Sequence, residues 1–475
     1  MGTILPHPVQ ELDVEHSSRT ATLYALRELS RRAGVPRSEF ARWRVVFNYP
    51  DYVQVYVDPA SERHVRFPAI SWDFYGNPGL ANSQTATACW IDPGANRFSG
   101  IVNFKIPFST AGPRTIGPLF KPENRNSVSC SVDLLTSLVL MLSRYEETLF
   151  VPRDEHGRFA AVSSIAWRDG FLDRPIVDEW GLAFAEAIQF LLPSWHPKES
   201  TLRVKVGHDV DELGHPFKAR TVLAHTLRRR DPGATLRDLK ALYSGGLTTY
   251  QLLLWEVVAL AKSRGFESAV YWKCCGSGAN DTGYNPRQPQ IQNMISAFRD
   301  SGVELGIHPS YQSFDSHIAF QKEVSALKEI LQHDLVGGRQ DFLRWKPETW
   351  VAWEAEGIAY DASVGFADHI GFRAGTCHPY RPWLLAQGRE ARLLEIPLIA
   401  MDSTLLSYMQ VSEDEALKKT RQCIAHCRAV GGVFTLLWHN TRIMNSRHKA
   451  LYQALLDDLS GSPSYDWRSA YHEIL

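Results

Sequence analysis

The stretch TLRVKVGHDVDELGH, residues 201–215, decides how this chain is read. A short apolar run, RVKVG, leads straight into two aspartates separated by one residue, with His208 and His215 on either side. Aspartate is rarely buried without a partner, so a pair of them at the end of a core strand needs a reason. Residues two apart on an extended chain face the same side, which lets Asp209 and Asp211 converge on one point. Two such charges cannot both ionise cheaply unless a cation sits between them or one pKa rises. A metal held by Asp211, with Asp209 free beside it as a general base, resolves the conflict. Imidazole nitrogen and carboxylate oxygen are ordinary zinc ligands, and a catalytic site keeps one position open.

Outward from this stretch, towards the C-terminus, strand and helix patterns alternate. The expected strands are RVKVG, SAVYWK, VELGI, DFLRW, IAYDASV, LLEIPLI and VFTLLW. Between them lie helical patterns such as TYQLLLWEVVALAKSRG, FQKEVSALKEILQ and SEDEALKKTRQCIAHC, the last opening with Ser412 and Glu415 at capping-box spacing. Alternation of this kind predicts an α/β fold with a parallel sheet or barrel covered by helices. Sites in such folds form at the carboxyl ends of the strands. There the sequence delivers Asp209 and Asp211 after RVKVG, His308 after VELGI and His439 after VFTLLW, with Arg339 just before DFLRW and Arg344 within it. The arrangement DxDxxG also matches the opening of a calcium loop, but Leu213 at its fifth position and Arg220 at its twelfth exclude it. A metal-binding DxD of a nucleotide-sugar transferase would leave His308 and His439 without a task.

Towards the N-terminus the pattern is different. RWRVVFNYP and DYVQVYVDP alternate apolar and polar residues as antiparallel strands do. Two helices are expected at Ser131 to Glu147, with Ser131 as N-cap, and at Glu179 to Leu192. PSWHPKES, residues 193–200, reads as a linker. The 475 residues therefore divide into a smaller mixed α/β domain at 1–195 and a larger one at 201–475. A formal net charge of −1 excludes the basic field of a nucleic-acid binder. No apolar run is long enough to span a bilayer, the N-terminus lacks the pattern of a signal peptide, and seven cysteines, two of them adjacent, fit a reduced cytoplasmic protein. LGHPFKARTVLAHTLRRRDPG, after the first strand, reads as a helical insertion in which Arg228 to Arg230 most simply form a solvated face.

HDVD, then ELGIHPSY at Glu304 to Tyr311, then LLWHN at Leu436 to Asn440 resemble successive motifs of the polysaccharide deacetylase family, the NodB-homology fold of carbohydrate esterase family 4. GGRQDFLRWKPETW and GIAYDASVGFADHIGFRAGTCHPY resemble what a bacterial subgroup carries between them, and the likeness runs from Leu202 to Ser460. The N-terminal part is similar to the uncharacterised domain that accompanies this subgroup. The resemblance implies a distorted (β/α) barrel of the polysaccharide deacetylase type that hydrolyses N-acetyl groups on amino sugars. It further implies Asp209 as general base, Asp211 and His308 as ligands of a divalent metal, zinc above all, and His439 as the acid for the leaving amine. Arg339 falls where the family's arginine steadies the base, and Arg373 and Tyr311 are expected near the substrate.

One position departs from the pattern. The family places a second metal-binding histidine four residues after the first, and here that residue is Gln312. Either His317, His208 or another group supplies the third protein ligand that catalytic zinc takes, or water and substrate complete the site. A degenerate, carbohydrate-binding or scaffolding protein and a metal-independent hydrolase of another C–N bond are the alternatives.

Overall fold

The protein is described from a computed structural model covering residues 14–70, 86–89, 103–108, 115–149, 151–213, 233, 247–274, 280–281 and 284–469. The expected insertion with Arg228 to Arg230, together with His215, lies outside the described residues.

The C-terminal part is built on eight parallel strands: β1 (Arg203–Val210), β2 (Ser268–Trp272), β3 (Glu304–Ile307), β4 (Gly337–Gly338), β5 (Tyr360–Asp361), β6 (Leu394–Glu395), β7 (Ala400–Met401) and β8 (Val433–Leu437). Their spatial order is β6-β5-β4-β3-β2-β1-β8-β7, the cyclic order of a (β/α) barrel with a break between β6 and β7. The break has a simple cause. Parallel neighbours need a crossover of roughly a dozen residues or more, and only residues 396–399 separate β6 from β7. The fold is α/β, a barrel distorted by being open along one seam.

Strand β1 shows how the sequence places its groups. Val204, Val206 and Val210 are buried against the surrounding helices, as the two-residue period requires. His208 shares that face: its Nδ1 lies 2.7 Å from the Trp438 carbonyl and its Nε2 3.2 Å from Ser268 Oγ. Burial pulls its pKa down to about 4. Lys205, Gly207 and Asp209 take the other face. At Gly207 a Cβ would stand 3.3 Å from Arg339 Nη1, so the missing side chain leaves room for the guanidinium that holds Asp209. In β4 a Cβ on Gly338 would lie 2.0 Å from the Ile307 carbonyl, which explains the Gly-Gly pair there.

Two expectations need correction. DFLRW is not a strand: β4 ends at Gly338, and Asp341–Leu343 forms a 3₁₀ turn in which Phe342 and Leu343 have φ of 56° and 53°. The expected helix from Ser131 is shorter, Leu134–Leu142, and Ser131 Oγ donates to the Pro118 carbonyl instead of capping it. The helix stops where Arg144 turns left-handed, φ 55°, and directs its guanidinium to Glu146 and Glu147.

The N-terminal part folds around a five-stranded sheet in the order Arg44–Asn48, Tyr52–Asp58, Arg63–Pro68, Ser127–Cys130, Phe120–Asn124, flanked by helices Val14–Arg32 and Ile176–Leu191. Val53, Val55 and Val57 point inward on alternate positions of the Tyr52–Asp58 strand. A three-stranded sheet of Phe104–Ile106, Ala86–Cys89 and Thr115–Pro118 adjoins it.

One apolar core runs through both parts, from Ala21 to Leu459. The seam is made by the segment between β5 and β6. Gly371 and Phe372 lie against Leu172. Gly375 (φ 66°) accepts from Val177 N at 2.8 Å and packs on Met141. Asp178 accepts from Arg32, Thr376 and the Cys377 amide. Across the same seam, Arg373 meets Glu147.

Candidate active site

The carboxyl ends of seven strands supply polar groups to one region. Asp209 is the penultimate residue of β1 and Asp211 follows the strand, Lys273 follows β2, and His308 follows β3. Arg339 to Asp341 follow β4, Asp361 ends β5, Asp402 follows β7, and His439 lies two residues after β8. A cavity of about 130 Å³ is lined by Asp209, Asp211, His308, Asp341 and His439, with Gln340, Phe342, Leu343, Met401, Ser403 and Tyr408 around them. Arg158, from the N-terminal part, completes the wall.

Three groups form a candidate metal centre. Asp211, His308 and Asp341 each present a ligand atom, and these atoms lie within 4.8 Å of one another. His308 Nε2 is 3.2 Å from Asp211 Oδ1 and 3.2 Å from Asp341 Oδ1. Its Nδ1 lies 2.8 Å from the Arg339 carbonyl. An Nδ1–H donated there leaves the Nε2 lone pair aimed at the two carboxylates, the orientation that a ligating histidine requires. Asp211 Oδ1 and Asp341 Oδ2 are buried and make no well-formed hydrogen bond, although Lys273 Nζ lies 2.8 Å from Asp341 Oδ2. Buried oxygens in that condition are costly, and one imidazole with two carboxylates is a donor set that suits a divalent cation. The residues fit the metal. Asp341 stands as the third candidate ligand beside Asp211 and His308. His317 is half exposed and bonded to Glu356, and His208 is committed to backbone and Ser268.

Two pairs flank this centre. Arg339 Nη1 donates to Asp209 Oδ1 at 2.7 Å, while its Nε donates to the Ala362 carbonyl at 2.9 Å. The base candidate is therefore fixed and held beside a permanent cation. Arg344, the sequence-level competitor, turns away to the carbonyls of His156 and Tyr311 and to Asp315. On the other side His439 Nδ1 sits 2.7 Å from Asp402 Oδ1, and its Nε2 is 3.4 Å from Asp211 Oδ2.

The electrostatics follow from these contacts. Burial disfavours charge on His439, but the carboxylates of Asp402, Asp211 and Asp209, Asp402 foremost, together outweigh it and push the imidazole up to about 9. Burial likewise opposes charge on His308, and Asp209, Asp211 and Asp341 together lift it to about 10. Against its own desolvation, Asp211 is held well below the usual carboxylate range by His308 and Lys273. Asp402→Asn removes the anion that keeps His439 protonated. The imidazole pKa should then fall towards its unperturbed value of about 6.5, read as a shift of the ¹³Cε1 resonance in a histidine-labelled NMR titration; a midpoint unchanged near 9 would contradict it.

Residues 75–193 match a family model described as a family of unknown function (DUF7033). None of the curated proteins matches the chain. Solved structures similar to it include one from Mycobacterium smegmatis described as a polysaccharide deacetylase, with 15% identity, a TM-score of 0.41, and coverage of 59% of this chain and 92% of that one. A second, from Bordetella bronchiseptica, is described as a polysaccharide deacetylase involved in O-antigen biosynthesis, with 14% identity, a TM-score of 0.30, and coverage of 59% and 94%. A third is 4-α-glucanotransferase from Thermococcus litoralis, with 13% identity, a TM-score of 0.35, and coverage of 58% and 41%. A fold by itself does not fix an activity. The site has to speak for itself.

Of the residues expected from sequence, Asp209, Asp211, His308, Arg339 and His439 come together. Arg373 and Tyr311 do not line the cavity. Arg373 is buried, paired with Glu147 at 2.5 Å and bonded to the Gly365 carbonyl. Tyr311 stands behind the wall, its hydroxyl 3.0 Å from His156 Nδ1 and its ring edge-on to Phe342. Four groups of the candidate site are absent from the sequence-based expectation: Asp341, Asp402, Arg158 and Lys273. Asp341 was hidden inside an assumed strand, Asp402 follows β7, which the expected strand LLEIPLI stops short of, and Arg158 lies where no constellation was visible.

No helix among the described residues is long and apolar enough to cross a membrane.

Proposed function

We propose that this chain is a hydrolase that removes an N-acyl group, most simply N-acetyl, from an amino sugar or a sugar-linked intermediate. The observation that carries the reading is the polarity of the site. A carboxylate fixed beside an arginine and an imidazole kept protonated by a carboxylate face one cavity, with three metal-ligating groups between them. Base on one side and acid on the other is what hydrolysis of an amide needs.

Asp211, His308 and Asp341 would hold a divalent ion, zinc in this proposal, which supplies Lewis acidity at the acyl carbonyl. The chain's own residues handle the protons. Asp209, oriented by Arg339, takes one from the attacking water. His439, oriented by Asp402, delivers one to the departing nitrogen, so the products are an acetate and a free amine. In this reading residues 1–195 are an accessory domain that lends Arg158 to the cavity wall. The substrate is a small or carrier-linked intermediate met in the cytoplasm.

The test combines metal content with turnover. Elemental analysis of the untagged protein should find close to one zinc or similar ion per chain, and Asp341→Ala and His308→Ala should each lose it. Deacetylation of a panel of free and carrier-linked N-acetyl amino sugars should then follow metal content. Metal retained in Asp341→Ala would remove this aspartate from the site.

A metal-independent hydrolase on the same fold is the second reading. Lys273 favours it, because its ammonium already supplies positive charge between Asp211 and Asp341.

A further inference from the structure

Three carboxylates, Asp209, Asp211 and Asp341, crowd the end of this barrel, and the first is matched by Arg339. The other two share a cation that the chain itself provides. Lys273 leaves the end of β2 almost fully buried, with its backbone amide donating to the Tyr284 hydroxyl at 2.9 Å. Its Nζ reaches Asp341 Oδ2 at 2.8 Å and Asp211 Oδ1 at 3.5 Å. That Asp211 oxygen is also the one His308 Nε2 approaches at 3.2 Å. The ammonium and a metal ion would therefore draw on the same ligand atom.

We infer that Lys273 is an internal competitor for the metal: the ammonium neutralises Asp211 and Asp341 when no ion is bound and has to be displaced when one enters. This inference rests on the metal-site reading above. The reasoning is electrostatic. A divalent ion placed among these groups with the ammonium in position would face a like charge at close range in a buried site, where such repulsion is large. Conversely, two buried carboxylates without any cation would be expensive. A lysine at this point lets the metal-free protein keep its fold and sets the metal affinity below what the ligands alone would give. Lys273 is thus a residue that sets metal affinity, distinct from the ligands and from the proton-transfer pair.

The experiment uses the full chain, stripped with chelator and titrated with Zn²⁺ against a chromophoric competitor. Methionine has nearly the length of lysine without its charge. Lys273→Met should bind Zn²⁺ at least about tenfold more tightly than the parent, the scale on which groups around a metal change affinity, whereas Lys273→Arg should bind no more tightly than the parent. Equal or weaker binding by Lys273→Met overturns the inference while leaving the metal site intact. If neither protein binds zinc, the metal-site reading falls and the lysine inference falls with it. Should Lys273→Met be insoluble without metal, the parent protein decides: reductive methylation followed by peptide mass spectrometry should show Lys273 labelling rise several-fold on zinc saturation. Labelling unchanged with zinc bound overturns the displacement.

Discussion

Asp209→Asn should lower turnover on an N-acetylated amino sugar by about 10²–10⁴-fold, the range general-base catalysis supplies, and leave ligand binding in place. The asparagine keeps the shape of the aspartate and can still meet Arg339 Nη1, now 2.7 Å from Oδ1. What disappears is the ability to take a proton. The substitution also leaves one buried arginine without its counterion, so folding has to be checked beside activity by thermal denaturation and near-ultraviolet circular dichroism. Stopped turnover with retained binding, measured by calorimetry on the same sugar, separates a hydrolase from a binding or scaffolding protein. If the parent shows no turnover on any N-acyl sugar but binds one, the scaffolding reading takes over. Unchanged turnover in the variant would instead assign the base to another group.

Glu147→Ala should cost the fold about 3–5 kcal/mol, the scale for breaking a buried ion pair, and Arg373→Ala should cost less. The asymmetry comes from who is left alone. Glu147 is fully buried and serves Arg373 at 2.5 Å and Arg144 at 2.8 Å, with Arg153 3.7 Å away. Removing it strands the buried Arg373 guanidinium and leaves Arg144 with Glu146 alone, whereas removing Arg373 leaves the carboxylate with Arg144. Chemical denaturation of the two variants and the parent measures the difference. Arg373→Ala should also leave KM for the sugar close to the parent value in the folded fraction, because its guanidinium is committed across the seam. A large rise in KM without loss of stability would return Arg373 to the substrate, where the sequence had placed it.

Local features of this site were legible in the sequence and long-range ones were not. Strand ends carrying His308 and His439, and the one-residue spacing of Asp209 and Asp211, are local facts, and the structure assembles them in one cavity. Six of the seven expected runs contain a strand, although in IAYDASV and LLEIPLI the strand is only two residues long and the apolar run around it is what marks it. The exception, DFLRW, hid Asp341: β4 is only Gly337–Gly338, too short for any period to register, and the ligand sits on the turn beyond it. Asp402 was missed for a related reason, because β7 is a two-residue strand that LLEIPLI stops short of. Arg373 and Arg158 depend on contacts across more than 180 residues of chain, Arg373 with Glu147 and Arg158 with the Phe342 carbonyl. No spacing rule reaches so far. Lys273 ends a strand just as His308 does, yet a lysine there reads as a snorkelling surface residue until its partners are known.

The common core of the two parts limits how this protein can be taken apart. A fragment beginning near residue 201 would carry the reacting groups, yet Gly371 to Thr376 would face water without Leu172, Met141, Arg32 and Asp178, and the cavity would lose Arg158 from its wall. A chimera joining this barrel to a foreign N-terminal half would inherit the same mismatch in both shape and charge. The smallest portable unit of this chain is therefore larger than its chemistry, and any shuffling, inherited or engineered, has to move the two halves together.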